Sequence, residues 1–507
     1  MAVLCWAAVL GLVAALVWLA SFPAVNADEL YALAVIGDAW TNVPFRWMLQ
    51  PANGLFPGLL IGSVGFIAGF DGIGFHVFFA AAFSILLFIA TAYFFRHAGL
   101  NRAEAWPAAA IAVMLICFAS TQSLRLLLFC PACHAGVVPV GLFVFGLVVQ
   151  YIERGKPAIR WPSMLVLLST FSDMLTVLQV VLPIVAGMII LSWQQPQLRH
   201  KTYVVSLGVS LGALAGVGLY STVGLTGIVD HGALPLFLTS IPAAAKTYVH
   251  TFRELTSILG TVYAGSAVLG LAVGIVITIG AILSRNIDKE LPLALITSSA
   301  LAGLLGPILS GTYWTAALFR YQLSFYTMPI IILVWLLCRI LPNRAWIFTS
   351  AAATLAAVII AKNTASARQR PMALNPSFDE VTQALARLPA DLTLAEYWSA
   401  KPIYIESGRQ LMVCPIVAQG FMFVWIANYG WCTEGLDRWA RHHNWLVIDV
   451  DDLIDRSAIV LTYGVPDRKL ELQNHQLWLY SWSPERHANL WRIICRPVRS
   501  FTPTPPC

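Results

Sequence analysis

Two adjacent carboxylates, Asp28 and Glu29, follow the first long apolar run of the chain, within Asp28-Glu29-Leu30-Tyr31-Ala32. Acids are costly to bury at a membrane boundary. The pair therefore reads either as a solvated loop end or as a base facing a lipid-borne substrate. A second polar spot, Ser172-Asp173 with Gln179 and Pro183 behind it, interrupts an apolar stretch. An intramembrane acid is a functional-site residue by default; the alternative is an N-cap for the following helix. Cations that could meet a phosphate are Arg46, Arg125, Lys246, Arg253 and Arg320. Arg320 leads them because Arg320-Tyr321 opens an apolar run; otherwise it is a helix-end anchor snorkelling to the headgroups. Cys130-Pro131-Ala132-Cys133-His134 is a CxxC with an adjacent His. No βαβ pattern surrounds it, as a thioredoxin-like motif requires, and a metal needs two more ligands. A disulfide or two plain thiols is the better reading. His134 begins an apolar run and can face the same outer cavity as Asp173.

The elements that must position these residues are membrane helices. Of 507 residues, 58% are hydrophobic and only 11% charged, and the mean hydropathy is +0.74; soluble domains carry roughly 25% charged residues. The net charge of +6 calls for no nucleic-acid partner, and no internal repeat is present. Met1–Phe22 is long enough to span a bilayer, lacks a basic n-region, and reads as a retained first helix. Further spans are expected at Phe75–Phe95, Ala105–Ser123, His134–Tyr151, Tyr203–Thr222, Val262–Leu283, Leu291–Leu309, Tyr321–Leu341 and Ala345–Ala361. Leu55–Phe70 is short and Gly-rich, open to a re-entrant, interfacial or spanning role. Trp161–Trp193 is too long for one helix, with Ser172-Asp173 at its middle.

Basic clusters set the sidedness. They fall at Arg96/His97/Arg102, Arg154/Lys156/Arg160, Arg199/His200/Lys201, Arg285/Lys289 and Arg339/Arg344, and all five belong inside. The N-terminus is then cytoplasmic and the loop Pro23–Asn53 faces out. Trp161–Trp193 becomes a hairpin whose tip carries Asp173 to the outer face, and everything after Lys362 is exported. The expectation is about 11 spans. Residues 1–362 form the transmembrane domain, 363–500 an extracytoplasmic α/β domain, and 501–507 a disordered Pro-rich tail. In the exported domain Phe378–Leu388 reads as a helix, and Trp445–Val450, Ala458–Tyr463 and Gln476–Trp482 read as strands.

Cys130, Cys133, Cys414, Cys432, Cys495 and Cys507 all face out on this topology, which suits an oxidising compartment. Cys414 could pair with Cys432 or Cys495. The loop Gly224–Gly260, with Asp230-His231, Lys246, His250, Arg253 and Glu254, is either an interfacial substrate-binding segment or a passive connector. Glu396-Tyr397-Trp398 and Trp425–Trp431, with Asn428 and Tyr429, are an aromatic sugar platform or core. His442-His443 lacks a third ligand. Asp449-Val450-Asp451-Asp452 reads as a solvated strand-to-helix turn.

Asp28-Glu29 with Tyr31-Ala32 resembles the first-loop acidic motif of the GT-C superfamily of membrane glycosyltransferases. The likeness is closest to protein O-mannosyltransferases and the aminoarabinose transferases that modify lipid A. The overall plan is similar along the whole chain: an α-helical polytopic membrane protein with a C-terminal extracytoplasmic domain. The resemblance implies an enzyme in a bacterial inner membrane, taking sugar from a polyprenyl-phosphate donor. The acceptor would be a periplasmic glycan, lipid or protein. It also implies Asp28 as the base that deprotonates the acceptor, Glu29 as its orienting partner, and Arg320 as the phosphate ligand. No cofactor is implied, and a divalent metal has no strong ligand set. The chain departs from the pattern in lacking an outer-loop Asp-x-Asp pair and a Trp-Trp-Asp signature. It also carries Phe56-Pro57-Gly58 where some relatives have Phe-Pro-Asp. The alternatives are a catalytically degenerate relative, or a non-enzymatic transporter or scaffold. A transporter would place ionisable groups at the midplane and show inverted repeats.

Overall fold

A computed structural model describes residues 2–21, 30–41, 46–47, 54–118, 125, 128–129, 134–155, 158–225, 242–248, 260–309, 321–369, 378–423 and 427–494. The membrane part begins with α1 (Ala2–Ser21), α2 (Tyr31–Trp40), α3 (Leu60–Ile67), α4 (Gly72–His97), α5 (Arg102–Phe118) and α6 (Val137–Arg154). It continues with α7 (Arg160–Ser172), α8 (Leu182–Gln194) and α9 (Arg199–Leu225), and a short helix α10 over 242–248. It ends with α11 (Thr261–Leu283), α12 (Leu291–Leu309), α13 (Leu323–Ile340) and α14 (Ala345–Arg368). Among the described residues, nine helices are long and apolar enough to cross a membrane. The protein is thus a polytopic helical membrane protein. Leu55–Ile67 is a shorter apolar helix, below the roughly 20 residues a span needs. α14 carries its helix on to Arg368, beyond the expected end at Ala361; Lys362, Ala365, Ala367 and Arg368 are good helix formers, and Asn363 and Thr364 bond back to the Ile359 and Ile360 carbonyls.

Trp161–Trp193 is the expected hairpin. Asp173 is extended (φ −153°, ψ 111°), which breaks the helix between α7 and a π-helical turn, Val177–Val181, that leads into α8. α9 runs alongside α7. Gly208, Gly212 and Gly216 recur every four residues on α9, and a Cβ at each would lie 2.8, 2.4 and 2.7 Å from atoms of the Ile159–Leu167 segment. Small residues at this spacing let membrane helices approach closely and pack by dispersion.

The C-terminal part is α15 (Asp379–Ala386), β1 (Ala390–Glu396), α16 (Tyr397–Glu406), β2 (Val413–Ile416), α17 (Tyr429–His442) and β3 (Trp445–Val450). It closes with α18 (Arg456–Tyr463), β4 (Arg468–Glu471), β5 (Gln476–Tyr480) and α19 (Pro484–Ile494). The sheet order is β2-β1-β3-β5-β4. β1 is parallel to both β2 and β3, while β5 is antiparallel to β3 and β4. Helices cover both faces. Ala400 and Ile403 of α16 share a core with Ala395 and Val447. Leu436 and Trp439 of α17 share another with Leu394 and Ile448. The central strands β1 and β3 are therefore buried nearly throughout, as strands covered on two sides must be.

One expected strand is a helix. Ala458–Tyr463 lies inside α18, because Asp455 accepts from the backbone N–H groups of Ser457 and Ala458 and so starts a helix there. Only Ile459 of its residues is buried. A disulfide joins Cys414 on β2 to Cys432 on α17; Cys130, Cys133, Cys495 and Cys507 lie outside the described residues, as do 501–507.

Candidate functional site

The hairpin tip carries the site. The Asp173 N–H still closes the last turn of α7 onto the Ser169 carbonyl at 2.7 Å, and the extended backbone then aims the carboxylate sideways. Its two oxygens do different work. Oδ1 accepts from the Leu175 N–H at 3.0 Å, capping the turn that follows. Oδ2 lies 2.8 Å from Nδ1 of His134. The capping reading of Asp173 is thus realised, and its second oxygen is left to meet His134. His134 sits in the left-handed region at φ 63°, an uncommon conformation for a residue with a Cβ. Its ring centroid is 4.9 Å from that of Tyr321. Asp173, His134 and Tyr321, far apart in sequence, therefore meet at one point.

Gln179, in the π-helical turn, ties this point to α13. Its Nε2 donates to the Tyr321 carbonyl at 2.7 Å, and its Oε1 accepts from Ser324 Oγ at 2.6 Å. A buried amide satisfied at both ends fixes its neighbours. Ser172 Oγ accepts from the Phe56 N–H at 3.0 Å, so the Phe56-Pro57 segment abuts the tip as well. Against Tyr321 opens an apolar cavity of about 510 Å³, lined among others by Leu175, Leu178, Leu182, Ala302 and Leu305. Leu182 and Leu305 are 53% and 41% exposed, so the cavity opens sideways, where lipid would be.

Three of the candidate cations, Arg46, Arg125 and Lys246, are among the described residues and lie on separate segments. Arg125 Nη1 donates to Ser21 Oγ at the end of α1, and burial lowers its affinity for a proton. Lys246 is exposed on α10. Arg46 has its backbone clamped to the C-terminal domain: its N–H donates to Asn428 Oδ1 at 3.1 Å, and its carbonyl accepts from the Tyr429 N–H at 2.9 Å. Asp28, Glu29, Arg253 and Arg320 lie outside the described residues.

A second polar centre has no counterpart in the sequence reading. Asp38 on α2 is 1% exposed. Its Oδ2 accepts from Trp47 Nε1 at 2.8 Å, Asn428 Nδ2 at 2.6 Å and Trp431 Nε1 at 2.9 Å; the Tyr404 hydroxyl donates to Oδ1. Burial raises its carboxyl above the usual carboxylate range, and the four hydrogen bonds pull back against it. Close by, Arg409 donates to Asp71 through Nη1 at 2.8 Å and Nη2 at 3.0 Å. These two centres dock the C-terminal domain on α2 with Trp47 and on the N-terminus of α4. The indole and phenol groups are ordinary core aromatics by type, and only the lone acid in Tyr31–Trp40 hinted at them.

Inside the C-terminal domain Asp449 is fully buried and lies 2.9 Å from His475 Nδ1. This corrects the expected solvated turn for Asp449 and Val450, because β3 is central and covered on both faces; Asp451 and the exposed Asp452 do open the turn that leads to α18. Burial works to lower the His475 pKa, but the Asp449 hydrogen bond and charge hold it above the ordinary value. His442 pairs with Asp391 at 3.0 Å, and His443 stacks on Trp482. Trp398 is 44% exposed and stands edge-on to Tyr397, while Trp431 is core. Among the described residues no group of three or more His, Cys, Asp or Glu side chains could hold a metal ion.

No protein-family model matches the chain, and no curated protein matches it. Among solved structures, it is similar to an oligosaccharyltransferase of Archaeoglobus fulgidus, crystallised with zinc and sulfate. The identity is 13% and the TM-score 0.49, over 89% of this chain and 68% of that one.

Proposed function

We propose that the protein transfers a glycosyl group from a polyprenyl-phosphate donor to an acceptor hydroxyl at the outer face of the membrane. One observation carries this reading: the Asp173–His134 pair, 2.8 Å apart, packs through His134 on Tyr321, which lines a laterally open apolar cavity. A prenyl chain suits the cavity, and its phosphate would then lie at the pair. With His134 donating its Nδ1 proton to Asp173, Nε2 is left as a base, the arrangement general-base catalysis uses. In the transfer the acceptor O–H gives up its proton to the base and its oxygen bonds to the anomeric carbon. The bond from that carbon to the phosphate oxygen breaks, and the lipid phosphate leaves with the electron pair. Arg320, directly before Tyr321 in sequence, is suited to meet the phosphate. Asp28 is the base that the family resemblance implies, with Glu29 orienting it. The pair at Asp173 is where the described geometry supports a base.

The test is transfer from a labelled polyprenyl-phosphate sugar in proteoliposomes. Asp173→Asn and Asp28→Asn are each assayed, with folding checked by thermal unfolding. The base in use is expected to cost on the order of 10²–10⁴-fold in rate. Loss in Asp28→Asn with full activity in Asp173→Asn assigns the base to the first loop. Full activity in both removes the proposed chemistry.

A further inference from the structure

Resting on the glycosyl-transfer reading, we infer that the acceptor is itself a membrane lipid, held by its hydrocarbon chain in a second apolar cavity. That cavity, of about 260 Å³, is lined by Phe56, Pro57, Leu60, Ala82, Leu86 and Leu165, among others. Ala82 and Leu86 lie within the spanning helix α4, so any occupant comes from the bilayer. Leu60 on its rim is 56% exposed, so it too opens sideways.

The two cavities share no lining residue and fall on the two arms of one hairpin. Leu165 of α7 lines the second, and Met174 to Ala186 on the returning arm line the first. Each has a lining residue joined to the hairpin tip. In the first, Leu175 donates its N–H to Asp173, and Tyr321 packs on His134. In the second, Phe56 donates its N–H to Ser172, next to Asp173. Pro57 lies so close to Gly136, two residues after His134, that a Cβ there would come within 2.4 Å of Pro57 Cδ. Chains lying in the two cavities would therefore bring two headgroups to Asp173 and His134.

Glycosyl transfer needs such a meeting, because donor and acceptor must approach to about 3–3.5 Å. A polyprenyl donor brings one chain and fills one cavity. A protein or soluble glycan acceptor needs no cavity within the spanning layer; a lipid bearing a headgroup hydroxyl does. That hydroxyl supplies the oxygen that bonds to the anomeric carbon, and its proton goes to the base already described.

The experiment has two arms. A benzophenone amino acid replaces Leu86, or Val276 as a control on α11, 69% exposed. The protein is irradiated in the membranes of its own host, and the adducted lipids are identified by mass spectrometry. Enrichment of one hydroxyl-bearing lipid at position 86 over 276, by about tenfold, is expected. Identical profiles mean bulk annular lipid only and overturn the inference. In the second arm, vesicles of host lipid with labelled donor are given Ala82→Trp, which fills the cavity. Transfer into the lipid phase should fall about tenfold, while slow hydrolysis of the donor continues. Label passing undiminished into protein or soluble glycan overturns the lipid acceptor and spares the glycosyl-transfer reading. A wild-type protein that never consumes the donor overturns both, whichever adduct forms.

Discussion

Asp38 shows how much one carboxylate can organise. Four donors converge on it, three of them from the C-terminal domain. Asp38→Ala leaves four buried donors without an acceptor and should cost about 3 kcal/mol or more. Asp38→Asn keeps an acceptor for the Trp47, Asn428 and Trp431 donors, and the Tyr404 hydroxyl can turn to accept from the amide. It also removes a buried charge, so it should cost far less. Chemical denaturation of the detergent-solubilised protein checks the order, and equal losses would mean the network contributes little. Asp173 was legible in sequence because an acid inside an apolar run has few bland explanations. Asp38 was not, because its partners Tyr404, Asn428 and Trp431 lie 366, 390 and 393 residues away. No local pattern encodes a contact at that distance.

At the scale of elements, the hairpin depends on the glycine seam of α9. A side chain at Gly212 would meet the Ser163 carbonyl, whereas a Cβ at Gly218 meets nothing within 4 Å. Gly212→Leu should therefore force α7 and α9 apart and cost about 1–3 kcal/mol. Gly218→Ala should be neutral or slightly stabilising. Thermal unfolding in detergent separates them, and similar midpoints would refute the seam. The long apolar elements and the break at Asp173 were readable from composition and length. The error at Ala458–Tyr463 is instructive. Ile459, Val460 and Thr462 favour strands by propensity, but the Asp455 cap just upstream overrides it. β2 was missed because a short apolar strand buried on both faces shows no alternation; β1 alternates only over Asp391 to Leu394, and its polar positions are buried as well.

For the whole molecule, sidedness is the claim to test. The basic clusters are the argument for inner loops in the cytosol and a C-terminal domain outside, a sidedness with which the Cys414–Cys432 disulfide is compatible. Leu461→Cys, at a site 89% exposed on α18, should react with an impermeant maleimide added outside intact membranes. Arg285→Cys, between α11 and α12, should not. The reverse pattern would place the acidic pair and the hairpin tip in the cytosol and end the proposed chemistry. The domain should also lose stability as pH rises. His475 has its folded pKa above the ordinary 6.5, so its contribution is present below 6.5 and fades as pH climbs through the folded value. Asp449, raised from 3.8 by burial, acts in the same sense at lower pH. A melting midpoint higher at pH 6.5 than at about pH 8, with a flatter slope in His475→Gln, is expected. A midpoint that does not change with pH would show that the pair is energetically silent.

The sideways opening past Leu182 and Leu305 changes how any ligand must be counted. A molecule that enters from the bilayer arrives by two-dimensional diffusion, so its effective dose is its mole fraction in the surrounding amphiphile. Diluting it with inert detergent should weaken saturation even when its bulk molarity is held constant. Half-saturation for this protein is then a ratio of lipid to lipid.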